Sequence, residues 1–72
     1  MPRNDKHLAD LDRTDRRILE ALQDDGRLSN VKLAKRVNLT PTPCLERVKR
    51  LERDGFILGY TALLNPEKVD AG

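Results

Sequence analysis

The sequence predicts a mainly α domain, with three short helices in its first 55 residues and one β-strand after them. Three observations carry this. Apolar residues recur at three- and four-residue spacing in three separate windows. Each window opens on a capping residue or a proline and closes near Asn or Gly. After Gly55 the helical period gives way to a run of β-forming residues. Seventy-two residues make one small domain, near the lower limit for a fold held by a single apolar core. One cysteine excludes an internal disulfide, and one cysteine with one histidine falls short of a structural zinc site.

Residues 1–10, MPRNDKHLAD, are polar and aperiodic and are expected to form a flexible arm, with His7 alone and solvent-exposed. The first helix is predicted from Arg13 to Asp24. Asp12 accepts from its unpaired first-turn N–H groups, and Asp15 adds negative charge where the helix dipole favours it. Leu11, Thr14, Ile18 and Leu22 form its apolar stripe, with Leu19 on the flank. Gly26 is the expected terminator.

The second helix is short. Ser29 caps it, and Val31, Leu33, Ala34 and Val37 supply the buried side, with Lys32, Lys35 and Arg36 opposite. Asn38, which tolerates the left-handed conformation, ends it.

The third helix, about residues 41–54, lies in TPTPCLERVKRLERDG. Leu45, Val48 and Leu51 face the core, with Cys44 and Glu52 beside them. Glu46 and Arg50 project from the opposite side near Pro43 and Arg53, and Thr42, Arg47 and Lys49 flank them. Pro41 and Pro43 cost little where N–H groups have no helical partner. Pro43 disfavours helical angles at Thr42, which leaves the start between Thr40 and Thr42. Cys44 has no histidine or second cysteine near it and is expected to pack as a small buried hydrophobe.

Phe56 to Leu64 predicts a strand, closed by Asn65-Pro66, with Gly59 at a bulge. One strand leaves its own backbone groups unpaired, so the segment is expected to pair with another copy or a further domain. The tail EKVDAG reads as the start of a linker.

Charge sharpens the function. Residues 1–25 carry five Lys/Arg against seven Asp/Glu, and residues 26–54 carry eight against three. The overall +2 therefore conceals a strongly basic middle third. Lys/Arg clustering of this kind is the electrostatic footprint of a nucleic-acid binder. A solvated helix face is the plain alternative. With 36% charged and 3% aromatic residues, base stacking on exposed rings is disfavoured. No apolar run reaches the roughly 20 residues of a membrane span, the start is not a signal peptide, and a cytoplasmic, nucleoid-associated protein is expected. No nucleophile–base pair, metal-ligand spacing or phosphate-binding glycine loop is present, so neither an enzyme nor a cofactor is expected.

A short second helix, a tight turn and a cationic third helix form the pattern of a helix-turn-helix (winged-helix-like) DNA reader. The first two helices hold the third with its polar face outward, and the major groove admits one helix. Ala34 is small enough to let two helices approach closely. A helical protein-interaction module shares the apolar pattern and remains the alternative.

The opening "LD..D..IL..L..DGR.S" and the later "LSxTPxxxRVxRLExxGxIxGY" type of segment occur in order in LDRTDRRILEALQDDGRLSNVKLAKRVNLTPTPCLERVKRLERDGFILGYTALLNP. Over about residues 10–66 the chain resembles the N-terminal DNA-binding region of the leucine-responsive/asparagine-operon (Lrp/AsnC) family of bacterial transcription factors. The resemblance implies binding of double-stranded DNA as a homodimer, with segment 56–66 as the hinge. It also implies a further βαββαβ domain, outside this sequence, that binds amino-acid effectors and builds higher oligomers. On that reading residues 11–55 are the helix-turn-helix domain and 67–72 begin the linker.

Thr42, Pro43, Glu46, Arg47 and Arg50 are the candidates for base-edge contacts, because the front of a recognition helix goes deepest into the groove. Arg47 or Arg50 suits guanine, and Glu46 suits either a cytosine amino group or an i,i+4 clamp on Arg50. The clamp is the preferred expectation. Ser29, Asn30, Lys32, Lys35, Arg36, Lys49 and Arg53 are assigned to phosphates. Thr40 is a cap first and a phosphate contact second.

Overall fold

The computed structural model describes His7 and residues 10–70, so most of the expected N-terminal arm and the last two residues lie outside the described residues. Four helices follow one another: α1 (Arg13–Asp24), α2 (Asn30–Arg36), α3 (Pro41–Arg53) and a short α4 (Pro66–Val69). The first three pack on one another around a single core. Ile18 and Ala21 of α1, Leu33 and Ala34 of α2, Val37, and Cys44, Val48 and Leu51 of α3 are buried in it. Leu11, Leu19, Leu22, Leu28, Leu39, Phe56 and Ile57 close its edges.

Capping fixes where the first two helices begin. The Asp15 N–H donates to Asp12 Oδ1 at 2.7 Å, and the Lys32 N–H donates to Ser29 Oγ at 3.2 Å. At α3 Thr40 holds the cap position without a side-chain bond, so its expected capping role is corrected to a purely backbone one. Its carbonyl accepts from Cys44 at 3.3 Å. Pro41 and Pro43 bring no N–H to the first turn, which leaves little for a side chain to cap. Thr42 is helical despite Pro43, and α3 starts at Pro41.

Two of the three core helices end on the same device. After α2, Asn38 sits at φ 58, its N–H donates to Lys35 O at 3.3 Å and the Leu39 N–H donates to Ala34 O at 2.8 Å. After α3, Gly55 sits at φ 82, its N–H donates to Glu52 O at 3.1 Å and the Phe56 N–H donates to Leu51 O at 3.0 Å. Both are Schellman closures, and each drives an apolar residue back against the core. The α1 end differs. Asp25 is extended there, and Gly26 lacks a positive φ, so the helix does not need Gly26 to stop.

Two core assignments are corrected. Val31 is 54% exposed and Leu45 is 41% exposed. On α3 the buried positions are Cys44, Val48 and Leu51, an i, i+4, i+7 row, and at about 100° per residue this rotates Leu45 out of the contact. On α2 the buried set is Leu33, Ala34 and Val37, and Val31 turns to the side of Lys35. Glu52, expected beside the core, is exposed.

Beyond Ile57 the chain runs without regular structure to Asn65, and among the described residues no strand forms. A lone segment has no ladder to join, which is the physical reason. Tyr60 bends back to α3, its hydroxyl donating to Glu52 Oε2 at 3.0 Å. Burial, with the Glu52 carboxylate second, raises the Tyr60 pKa above its ordinary value. The helical turn α4 was not expected. Asn65 Oδ1 accepts from the N–H groups of Glu67 and Lys68 at 3.0 and 3.3 Å, and Pro66 occupies the first turn.

Candidate nucleic-acid interface

The surface of interest is built by the turn 37–40 and the two helices it joins. Asn38 and Leu39 reverse the chain within the Schellman closure, and α3 leaves at once. A second tie holds the two helix starts together: Asn30 Nδ2 donates to Pro41 O at 2.8 Å. That bond fixes which way round the amide sits, because only its nitrogen can donate to a carbonyl. Among the described residues Asn30 Oδ1 is left buried without a hydrogen-bond partner. The expected phosphate ligand Asn30 is thus also a strut between α2 and α3.

Three α3 residues bury the inner side, and Thr42, Pro43, Glu46, Lys49, Arg50 and Arg53 are exposed along the outer one. Lys32, Lys35 and Arg36 are exposed on α2. Among the described residues Lys32, Lys35, Lys49 and Arg50 make no ion pair. Arg36 meets Asp24 at 3.4 Å with both groups largely exposed, and Arg53 Nε meets Asp54 at 3.3 Å. The Arg36–Asp24 pair lies in solvent, is worth little and releases its cation easily to a phosphate, whereas the Asp54 side chain is only 15% exposed. The expected i,i+4 clamp is corrected: among the described residues no ion pair joins Glu46 to Arg50. Glu46 and Arg50 are both exposed.

Arg47 goes the other way. One of its terminal nitrogens, Nη1, donates to Asp12 Oδ1 and Oδ2 at 2.9 and 2.8 Å and to Asp15 Oδ1 at 2.9 Å. Two N–H bonds thus serve three acceptors, one of them shared. The Asp15 side chain is 12% exposed and that of Arg47 27%. The Arg47 hydrogen bond holds the Asp12 carboxyl below its ordinary pKa, helped by the Asp15 N–H. The same carboxylates, Asp12 first, hold the guanidinium above its own. This contact spans 35 residues of sequence, and no local pattern announces it.

Cys44 is fully buried, and desolvation raises its thiol pKa, as suits a packing residue. Among the described residues no group of His, Cys, Asp or Glu is arranged to hold a metal ion, and no helix is long and apolar enough to cross a membrane.

A tight turn that presents a cationic helix outward from a three-helix core is the arrangement of a helix-turn-helix domain, and the family profile described as winged helix-turn-helix DNA-binding matches residues 11–57. The chain belongs to this family, and it is similar to part of the longer Lrp/AsnC regulators. It is 74% identical over 62 residues to the leucine-responsive regulatory proteins of Escherichia coli (strain K12) and Salmonella typhimurium, covering 86% of this chain and 38% of theirs. Solved relatives agree in fold. A transcriptional regulator from Neisseria meningitidis, solved with L-Met, superposes with a TM-score of 0.78 at 55% identity, over 86% of this chain and 40% of that one. An AsnC family transcriptional regulator from Agrobacterium tumefaciens gives 0.75 at 49%, over 82% of this chain and 39% of its own. The chain spans well under half the length of these relatives.

Proposed function

We propose that the chain is the DNA-docking part of a transcriptional regulator and that it lays α3 in the major groove of duplex DNA. The carrying observation is the outer face of α2 and α3, where Lys32, Lys35, Lys49 and Arg50 stand exposed and, among the described residues, without ion pairs, beside a tight, doubly tied turn. In this reading Thr42, Pro43, Glu46 and Arg50 approach base edges, Arg50 suiting the acceptor pair of guanine. Ser29, Asn30, Thr40, Lys32, Lys35, Arg36, Lys49 and Arg53 approach phosphates and set the register. Residues 11–55 are the reading domain and 56–66 the connection to whatever follows. A homodimer on paired half-sites suits a domain this small, because one short helix reads only a few base pairs. In the longer relatives' architecture, amino-acid response would belong to the part beyond this chain.

The test is a salt titration of binding to duplex DNA. Neutralised phosphates release counterions, so the logarithm of affinity falls with that of salt at a slope of about −0.9 per phosphate contact. We expect a slope of several units per domain. Failure to bind any duplex at low salt, or a flat salt response, would overturn the reading.

A further inference from the structure

From the geometry of Arg47 we infer that this arginine is a positioning residue: it latches the recognition helix to the start of α1 and thereby sets the angle at which α3 enters the groove. The inference rests on the DNA-docking reading and goes beyond it by moving one helix residue from base contact to helix placement. Four observations carry it. Arg47 lies on α3 between the buried row and the outer face, and its guanidinium makes three charge-assisted bonds of 2.8–2.9 Å, all to α1's N-terminal carboxylates. Asp12, one of its partners, is the α1 N-cap, so the latch grips a group already fixed by the Asp15 N–H at 2.7 Å. Asp15 is buried, so withdrawing Arg47 strips a nearly desolvated carboxylate of its counter-ion. Swinging Arg47 out to DNA would also expose two bare carboxylates beside the basic face, where they would repel the phosphates.

The latch complements the strut on the other side of the turn. Asn30 ties the start of α3 to α2, and Arg47, nearly two turns on, ties it to α1. Two attachments on different sides define a helix direction, where one would leave it free to pivot. Arg50, one turn further along and exposed, then stands at a fixed height and angle. Small misplacements at such a helix cost bidentate base contacts, whose geometry is demanding, more than phosphate contacts, whose geometry is more tolerant.

Wild type, Arg47→Met, Arg47→Lys, Asp15→Asn, and Arg47→Met with Asp15→Asn are compared for binding to a selected operator and to a random duplex across a salt series, with circular dichroism confirming that each is folded. A latch predicts that Arg47→Met loses about tenfold in the ratio of specific to non-specific affinity, the size of one impaired base pair. Its salt slope should stay that of the wild type. Asp15→Asn should lose in the same direction although it removes a negative charge, and the combined variant should be no worse than Arg47→Met alone. Arg47→Lys, which keeps the charge but not the planar fork, should recover part of the ratio. The inference is overturned if Arg47→Met lowers both affinities equally and cuts the salt slope by about one, the signature of a phosphate contact. It is equally overturned if Asp15→Asn raises the ratio by releasing Arg47 toward DNA. Should Arg47→Met fail to fold, the sign of the Asp15→Asn effect decides alone. Wild-type protein that binds no duplex contradicts the docking reading itself, a result separate from any of these.

Discussion

Arg47 and Arg50 sit three residues apart on one helix and meet opposite environments. Arg47 turns inward to Asp12 and Asp15, while Arg50 stands exposed without an ion pair among the described residues. The difference is rotation about the helix axis. Once Cys44, Val48 and Leu51 are buried, position 47 falls at the edge of the core and position 50 on the outer face. Identical side chains thus divide between holding a helix and presenting it, and residue type alone does not say which.

The sharpest way to break that contrast is to truncate each arginine. Arg47→Ala should lower unfolding stability by about 1–3 kcal/mol, the cost of leaving a nearly buried charged group without its partner. Arg50→Ala should change it by no more than about 0.5 kcal/mol. Urea midpoints at unchanged slope measure both. In duplex binding Arg50→Ala should instead lose about 1–3 kcal/mol of discrimination between a selected site and a random one. Lys35→Ala should weaken both about equally and reduce the salt slope by about one. Equal losses in the Arg50 and Lys35 variants would erase the division between reading and positioning.

The helix ends allow a second, smaller contrast. Gly55 holds φ 82 in the closure of α3, so Gly55→Ala should cost about 1 kcal/mol of stability or more. Gly26 has no such φ, and a Cβ there would meet only Leu22 O at 3.7 Å, an ordinary contact. Gly26→Ala should be close to neutral. Thermal unfolding of the two variants distinguishes a glycine the backbone requires from one it merely tolerates.

The smallest effect expected is acid sensitivity at the latch. The folded-state pKa of Asp12 is depressed by Arg47, so its contribution is present above the unfolded carboxylate value and is lost as pH falls through the folded one. The loss therefore lies below about pH 4. The Asp12 side chain is 56% exposed, so solvent screening keeps the effect modest. Asp12→Asn, which preserves the cap, should flatten the acid limb of stability against pH relative to the wild type.

What was legible in the sequence follows from how local each cause is. Asp12, Ser29, Asn38 and Gly55 announce helix boundaries by chemistry within a turn of themselves, and the structure puts the boundaries there. Which residues face inward is set by neighbouring helices, and a short apolar stripe leaves the rotation loose by one position. Val31 and Leu45 fell on the wrong side for that reason. The Arg47 latch depends on a partner 35 residues away and has no local signature. The α4 turn did have one, since Asn65-Pro66-Glu67 places a cap, a first-turn proline and a favourable acid in order. Its Asn-Pro pair is equally a strand-ending signal, and the β-forming run before it favoured that reading.

Titration of isotope-labelled protein with a short duplex, followed by amide chemical shifts, tests the central claim most directly. If the outer face of α2 and α3 enters the groove, the largest shifts will gather on residues 30–36 and 42–50. The exposed segment 58–64 should stay nearly unchanged at one duplex per site. Shifts centred on Leu58 to Leu64 with α3 silent, or no shifts at low salt, would contradict it.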